Sequence, residues 1–234
     1  MRLNKYISET GVCSRREADA WIEAGRVLVN GRRAELGTQV NEGDEVIANG
    51  RRIGARQQKH VYLALNKPPG ITCTTERHIE GNIVDFIGHR ERIFPIGRLD
   101  KDSEGLILLT SNGDIVNEIL RSENNHEKEY IVSVDQPFDD HFLARMARGV
   151  RLPELEQTTK PCRVERMTAQ TFRIVLTQGL NRQIRRMCEV HGLKVTRLKR
   201  VRIINVKLGA LAVGKWRDLA PDELHGLLPQ RTQW

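Results

Sequence analysis

The chain has 234 residues, a formal net charge of +8 at pH 7 and only 5% aromatic residues. This length allows one sizeable core and a small accessory module, and the positive charge favours a polyanionic partner, most often a nucleic acid. Few aromatic residues argue against single-strand binding through rows of stacked rings, and no run approaches the roughly 18 apolar residues of a membrane span.

The four cysteines, at positions 13, 73, 162 and 188, form no C-x-x-C pair. The sequence therefore predicts neither a zinc site nor a redox motif, and reduced thiols are typical of a cytosolic protein. The amino terminus enters patterned sequence directly, without an apolar signal core, so we expect a cytoplasmic location.

Residues 1–48 form a first module of two short helices and a small hairpin. Ser14 followed by Glu17 predicts a capping box that opens a helix ending at Gly25. A strand at residues 27–29 leads into Asn30-Gly31, the signal of a tight hairpin turn. The polar, basic segment 49–60 predicts a linker to a large domain at 61–229.

The large domain is organised around the turn-rich, charged loop 94–105, which runs into an apolar strand at 106–110. A loop held against a buried strand presents a carboxylate on a rigid base, which makes Asp100 a candidate functional residue. An ordinary turn aspartate is the alternative interpretation. We exclude a calcium loop because its twelfth position is Ser111 rather than Glu. We also exclude a phosphatase-type Asp-x-Asp, because the strand follows the aspartate instead of preceding it.

A second basic signal lies at residues 178–188. Asn181 is predicted to cap a helix that runs to about His191, with Arg182, Arg185 and Arg186 on one face. Such a helix is either a solvated surface element or one that faces an anion. Strands outnumber helices and hairpins connect them, which predicts an α+β fold with a mostly antiparallel sheet. The basic strand at 195–204 alternates too irregularly for its faces to be assigned.

Several of these motifs resemble the RsuA/RluA-type pseudouridine synthases. Gly97-Arg98-Leu99-Asp100, with Ser103 and Gly105-Leu106, resembles their catalytic motif, and Lys67-Pro68-Pro69-Gly70 resembles their Lys-Pro-x-Gly motif. The first module resembles an S4 RNA-binding domain through Arg2–Ile7, Ser14–Ala18 and Gly25–Gly31. The resemblance covers nearly the whole chain and implies the pseudouridine synthase fold, with a mixed, mostly antiparallel sheet preceded by a small S4 domain of the αL type.

The resemblance also implies roles for individual residues. Asp100 would be the nucleophile, Arg185 its ion-pair partner and Tyr130, from a Lys-x-Tyr motif, the ring against the target base. The expected substrate-binding residues are Arg98, Lys67, Leu198, Arg182 and Arg186. The S4 residues expected to contact RNA phosphates are Arg2, Lys5, Arg15, Arg16, Arg26, Arg32 and Arg33. On charge alone, that basic surface is equally well explained as a solvated face.

The resemblance implies no cofactor, no metal and no membrane, and a monomer that acts on structured RNA. The S4 module and residues 181–187 place the chain in the RsuA branch, whose members act on ribosomal RNA. The runs 126–130 and 178–181 are most similar to members that modify large-subunit (23S) rRNA, with 16S rRNA or tRNA as alternatives. The rival interpretations are a non-catalytic RNA-binding or ribosome-assembly factor and a metal-dependent phosphoryl-transfer enzyme.

Overall fold

The structure, a computed structural model, describes residues 1–54, 60–120 and 126–228. The chain divides into two compact units, residues 1–60 with 111–113 and residues 61–110 with 114–234. Residues 55–59 of the predicted linker, and residue 229 at the predicted end of the large domain, lie outside the described residues. The predicted linker range 49–60 also contains the strand Arg51–Ile53, which belongs to the small unit.

The small unit consists of two helices and an antiparallel sheet. Its elements are α1 (Leu3–Glu9), α2 (Arg15–Glu23), β1 (Val27–Val29), β2 (Arg32–Arg33), β3 (Val46–Ala48) and β4 (Arg51–Ile53), with the strand order β2-β1-β3-β4. The predicted capping box is confirmed: the Ser14 hydroxyl accepts from the Glu17 amide at 3.1 Å, and the Glu17 carboxylate accepts from the Ser14 amide at 2.6 Å. Asn30 and Gly31 both have positive φ, at 50° and 75°, as the tight hairpin turn requires.

The large unit is built around one long sheet. Its helices are α3 (Ile83–Ile87), α4 (Asp114–Leu120), α5 (Asp140–Arg148), α6 (Gln183–Val190) and α7 (Pro221–Leu227). Its strands are β5 (Tyr62–Lys67), β6 (Phe94–Ile96), β7 (Glu104–Thr110), β8 (Lys128–Val134), β9 (Arg151–Leu152), β10 (Gln157–Thr158), β11 (Arg163–Arg166), β12 (Thr171–Leu176), β13 (Val195–Ile203), β14 (Val206–Lys207) and β15 (Trp216–Asp218).

The order of the main sheet is β11-β12-β8-β13-β7-β5-β15, with β14 beside β13 and β6 beside β7. In the described part of the chain only β13 and β7 run parallel, and the other neighbours are antiparallel. The predicted α+β fold with a mostly antiparallel sheet is therefore confirmed.

Strand β7 is buried along its whole length. Leu106 and Leu108 belong to the core beneath α4 and α7, whereas Ile107 and Leu109 belong to the core beneath α3. Because both faces are covered, the strand is a continuous apolar run without alternation. This arrangement makes β7 a rigid base for the loop that precedes it.

A third core lies at the other half of the sheet, where α5 and α6 cover β8, β12 and β13. This core includes Phe142 and Met146 of α5, Ile184 and Met187 of α6, and Phe172 of β12. The rings of Phe142 and Phe172 contact each other edge to face. The parallel pairing of β13 with β7 joins this half to the half that carries the 94–105 loop. No helix in the described ranges is both long enough and apolar enough to cross a lipid bilayer.

Candidate active site

A cleft of about 1000 Å³ opens in the large unit. Its walls come from the 94–105 loop, from β8 and β13, and from the turn before α6. Of the residues predicted to form a site, it brings together Arg98, Asp100, Tyr130, Arg182 and Leu198. Three others, Lys67, Arg185 and Arg186, do not line it.

Asp100 is held in place by its neighbours on both sides. Residues 94–96, predicted as loop, form β6 and pair with β7, so the segment between them is a short connection with fixed ends. Leu99 is buried in the core beneath α3, and the Ser103 amide donates to the Asp100 carbonyl at 3.1 Å. The carboxylate itself remains accessible, with 31% of the side chain exposed. The fold thus presents one carboxylate to the cleft from an ordered loop.

Lys67 braces this loop from behind. Its side chain is fully buried, and the ammonium donates to the carbonyls of Pro68, Ile71 and Lys101 at 2.8, 2.9 and 3.2 Å. Burial lowers the pKa of Lys67, and the charges of Cys73, Asp102 and Asp100 oppose that effect. These three hydrogen bonds tie two turns together, and Lys67 does not line the cleft. Its expected role in substrate binding stays a prediction.

Cys73 also lines the cleft, close to the same loop. Burial raises the pKa of its thiol, while a hydrogen bond from the backbone of Leu99 and the charge of Lys67 act in the opposite direction. The thiol is therefore a neutral part of the cleft wall at pH 7.

The arginines around α6 are arranged differently from the prediction. Arg182 Nη1 lies 3.8 Å from Asp100 Oδ2 and 3.6 Å from Asp102 Oδ2. Arg185 is buried, donates to Ser103 Oγ at 3.3 Å and to the Val195 carbonyl at 3.3 Å, and comes within 3.9 Å of Asp102. Within the described residues, the cation paired with Asp100 is therefore Arg182, and the expected Arg185–Asp100 pair is wrong.

The physical reason is the start of the helix. Arg182, rather than Asn181, occupies the N-cap of α6, in a left-handed conformation with φ 50° and without a side-chain cap bond. The residue leaves the helical arrangement there and reaches the loop that carries Asp100. Arg186 does not line the cleft and forms an ion pair with Glu154. Its Nε donates to the Asn181 carbonyl at 3.1 Å.

The sheet supplies the remaining wall of the cleft. Tyr130 of β8 lies opposite Arg200 of β13, and Leu198 lies opposite Val132, so the ring of Tyr130 and the side chain of Leu198 share one face. Tyr130 packs against two of the cores. Bulges between residues 195 and 197 and between 200 and 202 interrupt β13, which explains why its alternation could not be assigned from sequence.

Sequence reasoning missed two cations on this wall, Lys128 and Arg200. The signal for Lys128 was present, because it stands two residues before Tyr130 in a strand and must share its face. Arg200 had no comparable signal, since the bulges hide its orientation. Across residues 1–54, 60–120 and 126–228, no three His, Cys, Asp or Glu side chains are grouped so that they could hold a metal ion.

The small unit carries most of its predicted RNA-contacting residues on the surface. Arg2, Arg15, Arg16, Arg26 and Arg32 are exposed, and Lys5 lies 3.4 Å from Glu9.

Arg33 is also exposed, but its guanidinium donates to the Glu23 carbonyl at 3.5 Å and fills the space beside Gly25. A cation at the carboxyl end of α2 stabilises that helix, which gives Arg33 a structural role.

Comparisons with known proteins identify the family of each unit. Residues 61–190 match the RNA pseudouridylate synthase family, and residues 1–46 match the S4 domain. The chain is 58% identical to "Dual-specificity RNA pseudouridine synthase RluF" of Salmonella typhi, over 95% of this chain and 77% of that protein. It is 36% identical to "Ribosomal large subunit pseudouridine synthase B" of Bacillus subtilis, over 97% of this chain and 95% of that protein.

One solved structure, "Crystal structure of pseudouridylate synthase", superposes with a TM-score of 0.70 at 29% identity, covering 97% of this chain and all of that one. The chain therefore belongs to the RNA pseudouridylate synthase family, with an S4 domain at its amino terminus.

Proposed function

We propose that this pseudouridine synthase converts a specific uridine of large-subunit (23S) ribosomal RNA to pseudouridine, and that Asp100 is its catalytic carboxylate. The observation that carries the assignment is the position of Asp100, which enters the same cleft as Tyr130 with Arg182 3.8 Å away. A relative whose name specifies the large ribosomal subunit supports ribosomal RNA as the substrate. Other relatives are named dual-specificity RNA pseudouridine synthases, which leaves room for a second RNA substrate. The alternatives are 16S rRNA and tRNA.

The reaction is an isomerisation in which atoms and electrons balance. The bond between N1 of uracil and C1′ of ribose breaks, the base turns, and C5 forms a new bond to C1′. The proton on C5 is released to solvent and N1 takes up a proton. An ionised Asp100 could act by attacking the ribose or by removing one of its protons. Both routes use the charged carboxylate, and the Arg182 guanidinium lies 3.8 Å from it.

The surrounding residues take supporting roles in this proposal. Tyr130 packs on the base and Leu198 shapes the pocket. Arg185 acts as a positioning residue, since it contacts Ser103 and Asp102 in the Asp100 loop. The target uridine must leave its stack, which costs a few kcal/mol. Phosphate contacts of the exposed Arg98 and of the basic S4 surface offset that cost.

Tritium release from rRNA labelled at uridine C5 tests the proposal directly. The wild type should release tritium, and Asp100→Asn should lose roughly 10³-fold or more of the rate while keeping its RNA affinity within a few-fold. Asp140→Asn is the matched control, because it removes a carboxylate that is 91% exposed and does not line the cleft. Normal turnover by Asp100→Asn would remove this residue from the chemistry.

Further arms separate the rival functions. EDTA should spare the chemistry, whereas a metal-dependent phosphoryl-transfer enzyme would lose activity. Tight binding by the wild type without tritium release from rRNA, large subunits or tRNA would favour a non-catalytic RNA-binding factor. We expect the protein to act in the cytoplasm as a monomer, and size-exclusion chromatography with light scattering tests its oligomeric state.

A further inference from the structure

Two cations on the sheet wall of the cleft, Lys128 and Arg200, have no carboxylate partner among the described residues and keep unused hydrogen-bond donors. Arg200 is only 3% exposed; its Nε donates to the Leu106 carbonyl at 2.7 Å and its Nη1 to the Arg98 carbonyl at 3.4 Å. Its Nη2 has no hydrogen-bond partner in the part of the chain that the structure describes. The side chain of Lys128 is half-buried and has neither a hydrogen bond nor an ion pair with any described residue. Buried cationic donors left unpaired are costly, so an acceptor from a ligand is the expected complement.

These cations flank the ring that is proposed to lie on the base. Arg200 stands opposite Tyr130 across the β8–β13 pair, and Lys128 precedes Tyr130 by two residues on the same strand. All three side chains therefore share one face of the sheet and line one cleft. Burial, reinforced by the positive charge of Arg200, lowers the pKa of Lys128. A negatively charged ligand would relieve the repulsion between the two groups.

We propose that Lys128 and Arg200 bind the two carbonyl oxygens of the uracil base and stabilise its negative charge while it is detached from the ribose. This inference rests on the proposed function, since it concerns the intermediate stage of that reaction. When the N1–C1′ bond breaks, the base leaves with the bonding electron pair, and the charge spreads over N1, O2 and O4. Preorganised positive charge at those oxygens stabilises the departing base more than the neutral uridine.

The symmetry of the uracil ring makes two cations suitable for holding the base while it rotates. Rotation by half a turn about the axis through N3 and C6 exchanges N1 with C5, and at the same time exchanges O2 with O4. Two cations that bind both carbonyl oxygens therefore make the same contacts before and after the base rotates. An RNA phosphate fits this wall less well, because Arg200 is almost completely buried, whereas Arg98 at the same cleft is exposed.

Substitution of Lys128 tests the inference without disturbing the hydrogen bonds of Arg200. Lys128→Met keeps the apolar stem and removes the charge, and Lys128→Arg restores it. Lys199→Met is the matched control, because it removes the same charge from the opposite face of β13, away from the cleft. At saturating RNA, Lys128→Met should lower the single-turnover rate roughly 10- to 100-fold below that of Lys199→Met. Lys128→Arg should recover most of the rate, and all RNA affinities should agree within a few-fold.

Sulfur substitution in the RNA distinguishes contact with the base from a structural effect. Sulfur is a poor acceptor, so 2-thiouridine or 4-thiouridine at the target position should slow the wild type. It should slow Lys128→Met much less, because the methionine side chain donates no hydrogen bond to the base. Equal slowing of both proteins, or no slowing of the wild type by either analogue, would overturn the inference.

The pattern of failures is also informative. A normal rate but weakened RNA affinity for Lys128→Met would assign the lysine to a phosphate and reject the base contact. If the wild type releases tritium and Lys128→Met matches Lys199→Met, only this inference fails. If the wild type releases none from any RNA, the proposed function fails first.

Discussion

Gly105 joins the 94–105 loop to the centre of the sheet at a point where no side chain fits. It pairs with Lys67 of β5 on one side and with Arg200 of β13 on the other, and its φ is +103°. A β-carbon at this position would lie 2.2 Å from the Arg200 carbonyl oxygen and 2.8 Å from the Arg200 amide nitrogen. Since both obstacles are backbone atoms, a change of rotamer cannot relieve the clash.

The expected cost follows from this geometry. An ordinary carbon–oxygen contact of about 3.3 Å, compared with the 2.2 Å available, requires β13 to move by roughly 1 Å. The positive φ adds about 1–2 kcal/mol, and forced overpacking adds about 1–3 kcal/mol. We therefore expect Gly105→Ala to lower the free energy of unfolding by about 2–5 kcal/mol. Displacement of the Asp100 loop by this distance should also lower the rate roughly 100-fold.

Urea unfolding and tritium release, measured on the same preparations, test this expectation. Gly209→Ala is the control, because Gly209 also has positive φ, at +56°, but a β-carbon there meets no atom within 4 Å. The free energy of unfolding of the control should fall by only about 1–2 kcal/mol, the cost of its backbone conformation, and its activity should be unchanged. If the two variants unfold within about 0.5 kcal/mol of each other and Gly105→Ala is fully active, the close approach of β7 and β13 is not a constraint and the reasoning is wrong.

Two other measurements probe the surface charge of the small unit and a buried thiol of the large one. Arg16→Ala and Arg26→Ala should each reduce the slope of log affinity against log salt by roughly 0.7–0.9 for every phosphate that the arginine neutralises; unchanged slopes would assign these exposed arginines to the solvated surface. Burial raises the pKa of the Cys188 thiol from 9.0 to about 12. The unfolded thiol therefore ionises first, and stability should fall between pH 9 and 12 by up to about 1.4 kcal/mol per pH unit. Cys188→Ala should show a correspondingly shallower decline in alkaline urea titrations, and identical slopes would contradict the shifted pKa.

Local signals in the sequence were sufficient for most of the elements. The capping box at Ser14 and the Asn30-Gly31 turn depend only on neighbouring residues, and both form as predicted. Strand β7 was predictable because burial on both faces produces a continuous apolar run. The mostly antiparallel sheet was predictable because hairpin connections leave turn signals in the sequence. The short strand β6 was missed, since Pro95 interrupts the segment and only its pairing with β7 makes these three residues a strand.

The sequence by itself thus determined which residue types meet at the candidate site, through motifs and their order along the chain. The tertiary structure decided their partners. Arg182 pairs with Asp100 because α6 begins at a residue in the left-handed conformation. Lys67 is buried because three carbonyl groups accept hydrogen bonds from its ammonium. Arg200 lines the cleft at a position where a bulge interrupts β13. These outcomes depend on contacts between segments up to about a hundred residues apart, which local periodicity cannot encode.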